Sequence, residues 1–249
     1  MKKYTLTLIL ALASLGLYAQ TNRNKTIINA ALHGWEYEIK AGVNLGGTAP
    51  LPFPEEIRSI DGYNPTLSIT IEGNMTKWLD TKKKWGIITG LRLENKGMRT
   101  KATVKNYNME IIGYDGNRLK GNWTGGVRTK VQNSYITIPV LAAYKLSPRT
   151  TLKLGPYFSY LMDGDFSGHV YEGYLRETNP TGDKINFTNG AIATYDFSGD
   201  LRKFQWGVQA GVDWKAFKHL KVHADLNWGL NDIFNKDFKT VTFDMYAIY

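Results

Sequence analysis

Residues 202–215 read RKFQWGVQAGVDWK, and their alternation decides the fold. Phe204, Trp206, Val208, Ala210, Val212 and Trp214 share one side of an extended chain. Lys203, Gln205, Gly207, Gln209, Gly211, Asp213 and Lys215 share the other. Successive strand side chains point to opposite faces, so this spacing makes a ribbon with one apolar and one polar face. A helix, with 3.6 residues per turn, would mix the two sets on every side.

The same pattern recurs outward from this stretch in both directions. Apolar positions two apart begin at Trp35, Leu67, Trp85, Ile136, Leu152, Leu220 and Val241, which with 202–215 makes eight strands. Each approaches the roughly 9–11 residues that a tilted strand needs to cross a bilayer. Short turns are expected near Lys77–Lys83, at Ser147–Arg149 and at Ala216–His219. Long connections are expected at Gly46–Gly62, Gly97–Lys130 and Asp163–Asp200, with a moderate one at Asn231–Lys239. Alternating short and long connections match the tight periplasmic turns and longer extracellular loops of an outer-membrane barrel. The expected fold is therefore all-β, an eight-stranded antiparallel transmembrane barrel over residues 35–249, with both termini periplasmic.

The N-terminus reads as a leader. Lys2 and Lys3 precede an apolar run from Leu6 to Leu17, and Ala19 supplies a small residue for cleavage. This predicts a signal peptide at 1–19, a periplasmic lead at 20–34, and a cell-envelope location in a Gram-negative bacterium. Of the 249 residues, 43% are hydrophobic, and the mean hydropathy of -0.33 is too polar for a helical membrane bundle. Cysteine is absent, which excludes disulfides and thiolate metal sites. The net charge is +9, or +7 without Lys2 and Lys3. In an exported protein that points to membrane lipids and lipopolysaccharide phosphates rather than nucleic acid.

Three features turn the apolar face outward. Glycines crowd the polar face (Gly42, Gly86, Gly90, Gly207, Gly211), as a narrow interior requires. Aromatics end the apolar stripes, with Tyr37, Trp85, Tyr144 and Trp214 at one level and Tyr160, Phe204, Trp206 and Trp228 at the other. These are the positions of two interfacial girdles. Last, Tyr249 is in phase with Ala247, Met245, Phe243 and Val241, the eighth apolar stripe, expected to face lipid. By this facing Gln209 tolerates a charge that Val208 does not. Pro139 and Pro156 cannot donate to a ladder and are expected at bulges or irregular register points.

Several segments resemble the PorT-like outer-membrane β-barrel family: YITIPVL (135–141), LKLGPY (152–157), GVQAGVD (207–213) and NWGLNDI (227–233). KAGVN (40–44), Thr89-Gly90 and NKG (95–97) are similar to its first and third strands. The resemblance covers most of the mature chain and implies the fold and the location. It implies little chemistry, and for the family's namesake it implies a link to protein secretion.

The polar faces bring together Glu38, Lys40, Glu72, Arg92, Glu94, Lys153, Asp213, His223, Asp225 and Asp244, with Glu36, Lys203, Lys215 and Lys221 in the same phase. Buried charges persist only when paired, so the expectation is an interior charge network. No catalytic constellation stands out: His223 shares a face with Asp225, but no serine accompanies them. Asp163-Gly-Asp165 lacks the remaining spacing of a calcium loop, so neither metal nor cofactor is expected. Arg99, Lys101, Lys105, Arg118, Lys120, Arg128 and Lys130 give the 97–130 connection a charge of +5, against -5 for 163–200. The seven cations are candidates for anion binding. Asp115-Gly116 and Asn179–Gly182 read as hairpin turns, so the strands are expected to continue above the membrane, and the opposite signs suggest that the two hairpins pair into an extracellular ledge. The function expected is a non-enzymatic barrel that binds or organises a partner protein, a secretion assembly or lipopolysaccharide. The alternatives are a lipid-modifying or proteolytic barrel enzyme and a narrow solute pore.

Overall fold

A computed structural model describes residues 34–51, 53–113, 116–235 and 244–249. The signal peptide and nearly all of the lead lie outside the described residues, as do Val241 and Phe243. Residues Glu36–Tyr249 form one unit.

Eleven antiparallel strands make a single sheet. They are β1 (Trp35–Asn44), β2 (Gly47–Leu51), β3 (Ile57–Pro65), β4 (Ser68–Trp78), β5 (Trp85–Ile112), β6 (Arg118–Lys145), β7 (Thr150–Glu177), β8 (Lys184–Asp196), β9 (Phe204–Phe217), β10 (Leu220–Gly229) and β11 (Asp244–Ile248). The hydrogen-bonded order is β1-β4-β5-β6-β7-β9-β10-β11-β2, with β3 on β5 and β8 on β5 and β7. Since β2 follows β1 after only two residues, the path returns to its own start.

The count exceeds the expected eight because most of the long connections are themselves sheet. Strands β5, β6 and β7 have 28 residues each. Their phase explains both halves. In β5 the odd residues Trp85, Ile87, Leu91 and Leu93 are exposed, while Arg92, Glu94 and Lys96 are buried. Farther along, with the phase unchanged, Arg99, Lys101 and Thr103 are exposed and Met98 and Val104 are buried. One continuous strand thus passes from apolar-out to polar-out. The apolar-out half includes the short turns, and its exposed belt carries both aromatic levels, among them Tyr37, Trp85, Tyr160, Phe204, Trp206 and Trp228. The far half encloses an apolar core around Met109, Trp123, Val131, Val170 and Leu175.

Four expectations change. Pro139 and Pro156 stand in regular register, opposite Tyr157 and Val208. Neighbouring ladder pairs drop out beside Pro139, yet the register on either side continues unshifted. The register shifts lie elsewhere, among them Val104/Tyr107, Gly125/Gly126, Ser134/Tyr135 and Tyr171/Gly173. Second, Ala247 and Tyr249 are buried, and Met245 packs on the core. β11 pairs with β2 at the far end, where apolar side chains belong inside. Third, Gln209 is 0% exposed and accepts a hydrogen bond from Arg92 at 2.7 Å, so it has no room for a second cation. Fourth, the two far hairpins are joined by the β6–β7 backbone ladder from Gly121↔Glu177 to Asn133↔Gly164. Among the described residues one ion pair, Lys130–Asp165, connects them. Hydrogen-bonded sheet, not opposite charge, holds this ledge.

The facing predicts a depth-dependent cost. Val208→Arg places a charge in the apolar belt and costs about 2–4 kcal/mol near the bilayer midplane. Gln132→Arg, exposed on the far half opposite Asp165, shifts stability by less than about 0.5 kcal/mol. Urea unfolding from phospholipid bilayers reads both.

Candidate functional site: a charged plug and a basic outer face

The interior of the belt region is filled by side chains that alternation brings inward from six strands. β1 supplies Lys40, β4 supplies Glu72, β5 supplies Arg92, Glu94 and Lys96, β7 supplies Lys153, β9 supplies Asp213 and β10 supplies Asp225. Four cations thus meet four carboxylates. Lys153 lies 2.6 Å from Asp213 and 2.8 Å from Asp225. Lys40 lies 3.5 Å from Asp213 and 3.9 Å from Glu72. Arg92 is the hub: it pairs with Glu72, reaches Glu94 at 3.7 Å, and donates to Gln209 at 2.7 Å and Asn227 at 3.5 Å. Thr137 donates to Glu94 at 2.7 Å, with its hydroxyl also 2.7 Å from that of Ser159.

Lys96 caps the network. Its ammonium is 3.2 Å from Glu94 and faces the rings of Tyr135, Tyr157 and Tyr249 at 5.1 to 5.4 Å. Such a charge gains from the negative face of each ring in a dry site. Glycine makes the room that the network needs: a Cβ at Gly211 would lie 1.8 Å from the Asp225 carboxylate.

The expected network is thus sorted by geometry. Glu38 stands at its edge, paired with Lys221 at 3.0 Å, and Glu36 pairs with Lys83 at 2.9 Å. Lys203 and Lys215 are exposed and not part of the interior. The His223 imidazole lies against Gly42, beside a cleft of about 520 Å3 between residues 40–44 of β1 and 221–225 of β10. The side chain of Asp244 lies outside the described residues. Sequence reading missed Lys96, although it is in phase with Arg92 and Glu94. It placed Gln209 on the inward face but missed its bond to Arg92, and it missed the tyrosine cage, whose members come from three separate segments.

On the outer face of the far half, the seven basic candidates divide. Arg99 is register partner to Lys130, and Lys101 to Arg128, so four cations form two adjacent rows. His169 extends the second row as the partner of Arg128 on β7. Arg128 lies over the Tyr171 ring at 5.0 Å. Lys105 is displaced beyond them, next to the bulge at Asn106. Arg118 pairs with Glu110 at 2.7 Å near the hairpin tip, where Lys120 is also the register partner of Glu110. Burial opposes ionisation of the Asp165 carboxyl, but Lys130 at 2.6 Å and the Ser167 hydroxyl hold it below its ordinary range. Partial burial, and then the Arg128 charge, hold the His169 imidazole below its own. Among the described residues no cluster of three metal-ligating side chains occurs.

A polar, ion-paired interior inside an exposed apolar belt is the arrangement of a sheet solvated by lipid. The model of the outer membrane protein beta-barrel domain matches residues 18–235. This chain belongs to that family. Its place is the outer membrane, and the antiparallel all-β sheet described above is consistent with that domain. None of the curated proteins matches the sequence.

The buried and exposed pairs differ in worth. Arg92→Gln leaves Glu72 and Glu94 without their shared cation and destabilises the barrel by about 3–5 kcal/mol. Arg118→Gln breaks an exposed pair and costs less than about 1 kcal/mol. Urea midpoints of the two variants in the same bilayer check the contrast.

Proposed function

We propose that the chain is an eight-stranded, non-enzymatic barrel of the PorT-like type that organises lipopolysaccharide at the cell surface through its raised β-ledge. In this reading β1 and β2 act as one strand of the barrel, and β4, β5, β6, β7, β9, β10 and β11 supply the other seven, with β11 joining only in the far half. The short turns at 79–84, 146–149 and 218–219 lie in the periplasm with the N-terminal lead, the far half stands outside the cell, and Tyr249 pairs with Asn227 near the far end of β10 and not among the short turns.

One observation carries the reading: the opposed cations Arg99↔Lys130 and Lys101↔Arg128, on the outer face just beyond the lipid belt. Like charges directly opposite on antiparallel strands destabilise a sheet. Among the described residues, Lys130 alone of the four has a carboxylate partner. A phosphate placed between the rows would remove the repulsion and gain charge-assisted hydrogen bonds. Arg99 lies six positions beyond Leu93, the last apolar position in the outward phase of β5. At a strand rise of about 3.3 Å per residue and a steep tilt, this places the rows at headgroup height.

The interior charges support a scaffold rather than a pore, since their partners are one another. The test replaces all four cations: Arg99→Gln, Lys101→Gln, Arg128→Gln and Lys130→Gln together. Lipopolysaccharide binding in nanodiscs, measured against phosphatidylcholine discs, weakens at least tenfold, about 1.4 kcal/mol. The remaining affinity also loses its salt dependence. Unchanged binding with an unchanged salt slope contradicts the proposal.

A further inference from the structure

The far half of the barrel contains a cavity of about 430 Å3 that neither the plug nor the basic face uses. It lies among β2, β3, β5, β6, β7, β8 and β11, with Met98, Met109, Phe166, Phe197 and Ile248 in its wall. Met98 is two residues beyond Lys96, so the cavity begins beyond the capped charge network.

Three properties of the wall define an occupant. No charged side chain lines the cavity among the described residues. Its polar groups are hydroxyls, and several are already engaged: Tyr63 donates to the Gly46 carbonyl at 2.6 Å, Tyr195 to the Arg128 carbonyl at 3.0 Å, and Thr48 to the Met98 sulfur. Burial raises the Tyr107 and Tyr195 hydroxyls above their ordinary range, which keeps them neutral. Water in such a space finds too few partners to be held well. Packed interiors leave few voids larger than a water molecule, whereas ligand pockets have volumes of roughly 300–1,000 Å3 with mostly apolar walls.

We infer that this cavity is a binding site for a neutral, hydrocarbon-rich small molecule, held above the ion-pair plug and entered from the far half of the barrel. Charged amphiphiles are disfavoured, because a charge would be desolvated without a counter-charge. The site is independent of the basic outer face, and either reading can fail without the other. An acyl chain from the membrane and an apolar molecule from outside the cell share this chemistry.

Methionines supply the test. Met98, Met109 and Met245 line the cavity, while Met75 and Met162, 40% and 51% exposed, face lipid on the outer belt. Protein labelled with 13C at the methionine methyls is refolded into phosphatidylcholine nanodiscs and titrated with N-phenyl-1-naphthylamine, a neutral aromatic probe. The expected result is saturable ring-current shifts at the three cavity methyls. The two belt methyls then move only in proportion to probe dissolved in lipid. Ala102→Phe, which fills the cavity from β5, weakens probe binding at least tenfold, and the unmodified protein alone decides the matter if that variant does not fold. Cavity methyls that stay fixed at saturating probe, as when another part of the chain occupies the space, overturn the inference. So do five methyls that move alike without saturation. Solvent extraction separates the sources: a neutral lipid released from protein taken from cells assigns the occupant to the membrane. Protein that releases none yet binds the probe assigns it to the outside.

Discussion

Hydrocarbon cannot hydrogen-bond, and this one constraint orders the rest of the molecule. Backbone polar groups in the belt must be satisfied within the sheet, and ionisable side chains must turn inward and find each other. Arg92 shows the consequence most fully. It lies in β5 and contacts side chains from β4, β9 and β10, so its guanidinium ties together strands that are not neighbours in the sheet. Without such cross-links the interior would hold desolvated charges of both signs.

Where lipid ends, the same strands obey the opposite rule without changing phase. Inward positions of β5 pass from Arg92, Glu94 and Lys96 to Met98 and Val104, and outward positions pass from Leu93 to Arg99 and Lys101. The plug and the apolar cavity are therefore successive stretches of one inner face. The basic rows are the matching stretch of the outer face. A scaffold of this kind carries an apolar outer surface in the belt region and a polar one on the ledge.

The belt was legible in the sequence because period-2 alternation survives wherever one face meets lipid and the other meets charge. The 202–215 stretch and its counterparts led directly to the interior location of Lys40, Glu72, Arg92, Lys153 and Asp213. Legibility fell where the polarity inverts. Across 97–130 the strand pattern continues, but bulges near Asn106 and at Gly125 shift its phase, and the polar outward residues resemble a solvated loop. Tyr249 was misread for a related reason. Its phase with Ala247 and Met245 was correct, but the depth of β11 was not, and depth decides which face is apolar. The cavity and the tyrosine cage around Lys96 depend on contacts among distant segments, which no local pattern encodes.

The central claim is that inversion of sidedness along an uninterrupted strand, and spin-label accessibility tests it most directly. The chain has no cysteine, so single cysteines introduced from Trp85 to Thr103 can each carry a nitroxide without background. In bilayers the account predicts that odd positions 85–93 collide with dissolved oxygen. Even positions through 96 should be shielded from both oxygen and a water-soluble nickel reagent, and positions 99, 101 and 103 should collide with nickel. Nickel access at 85–93, or oxygen-dominated collisions continuing through 103, would contradict it.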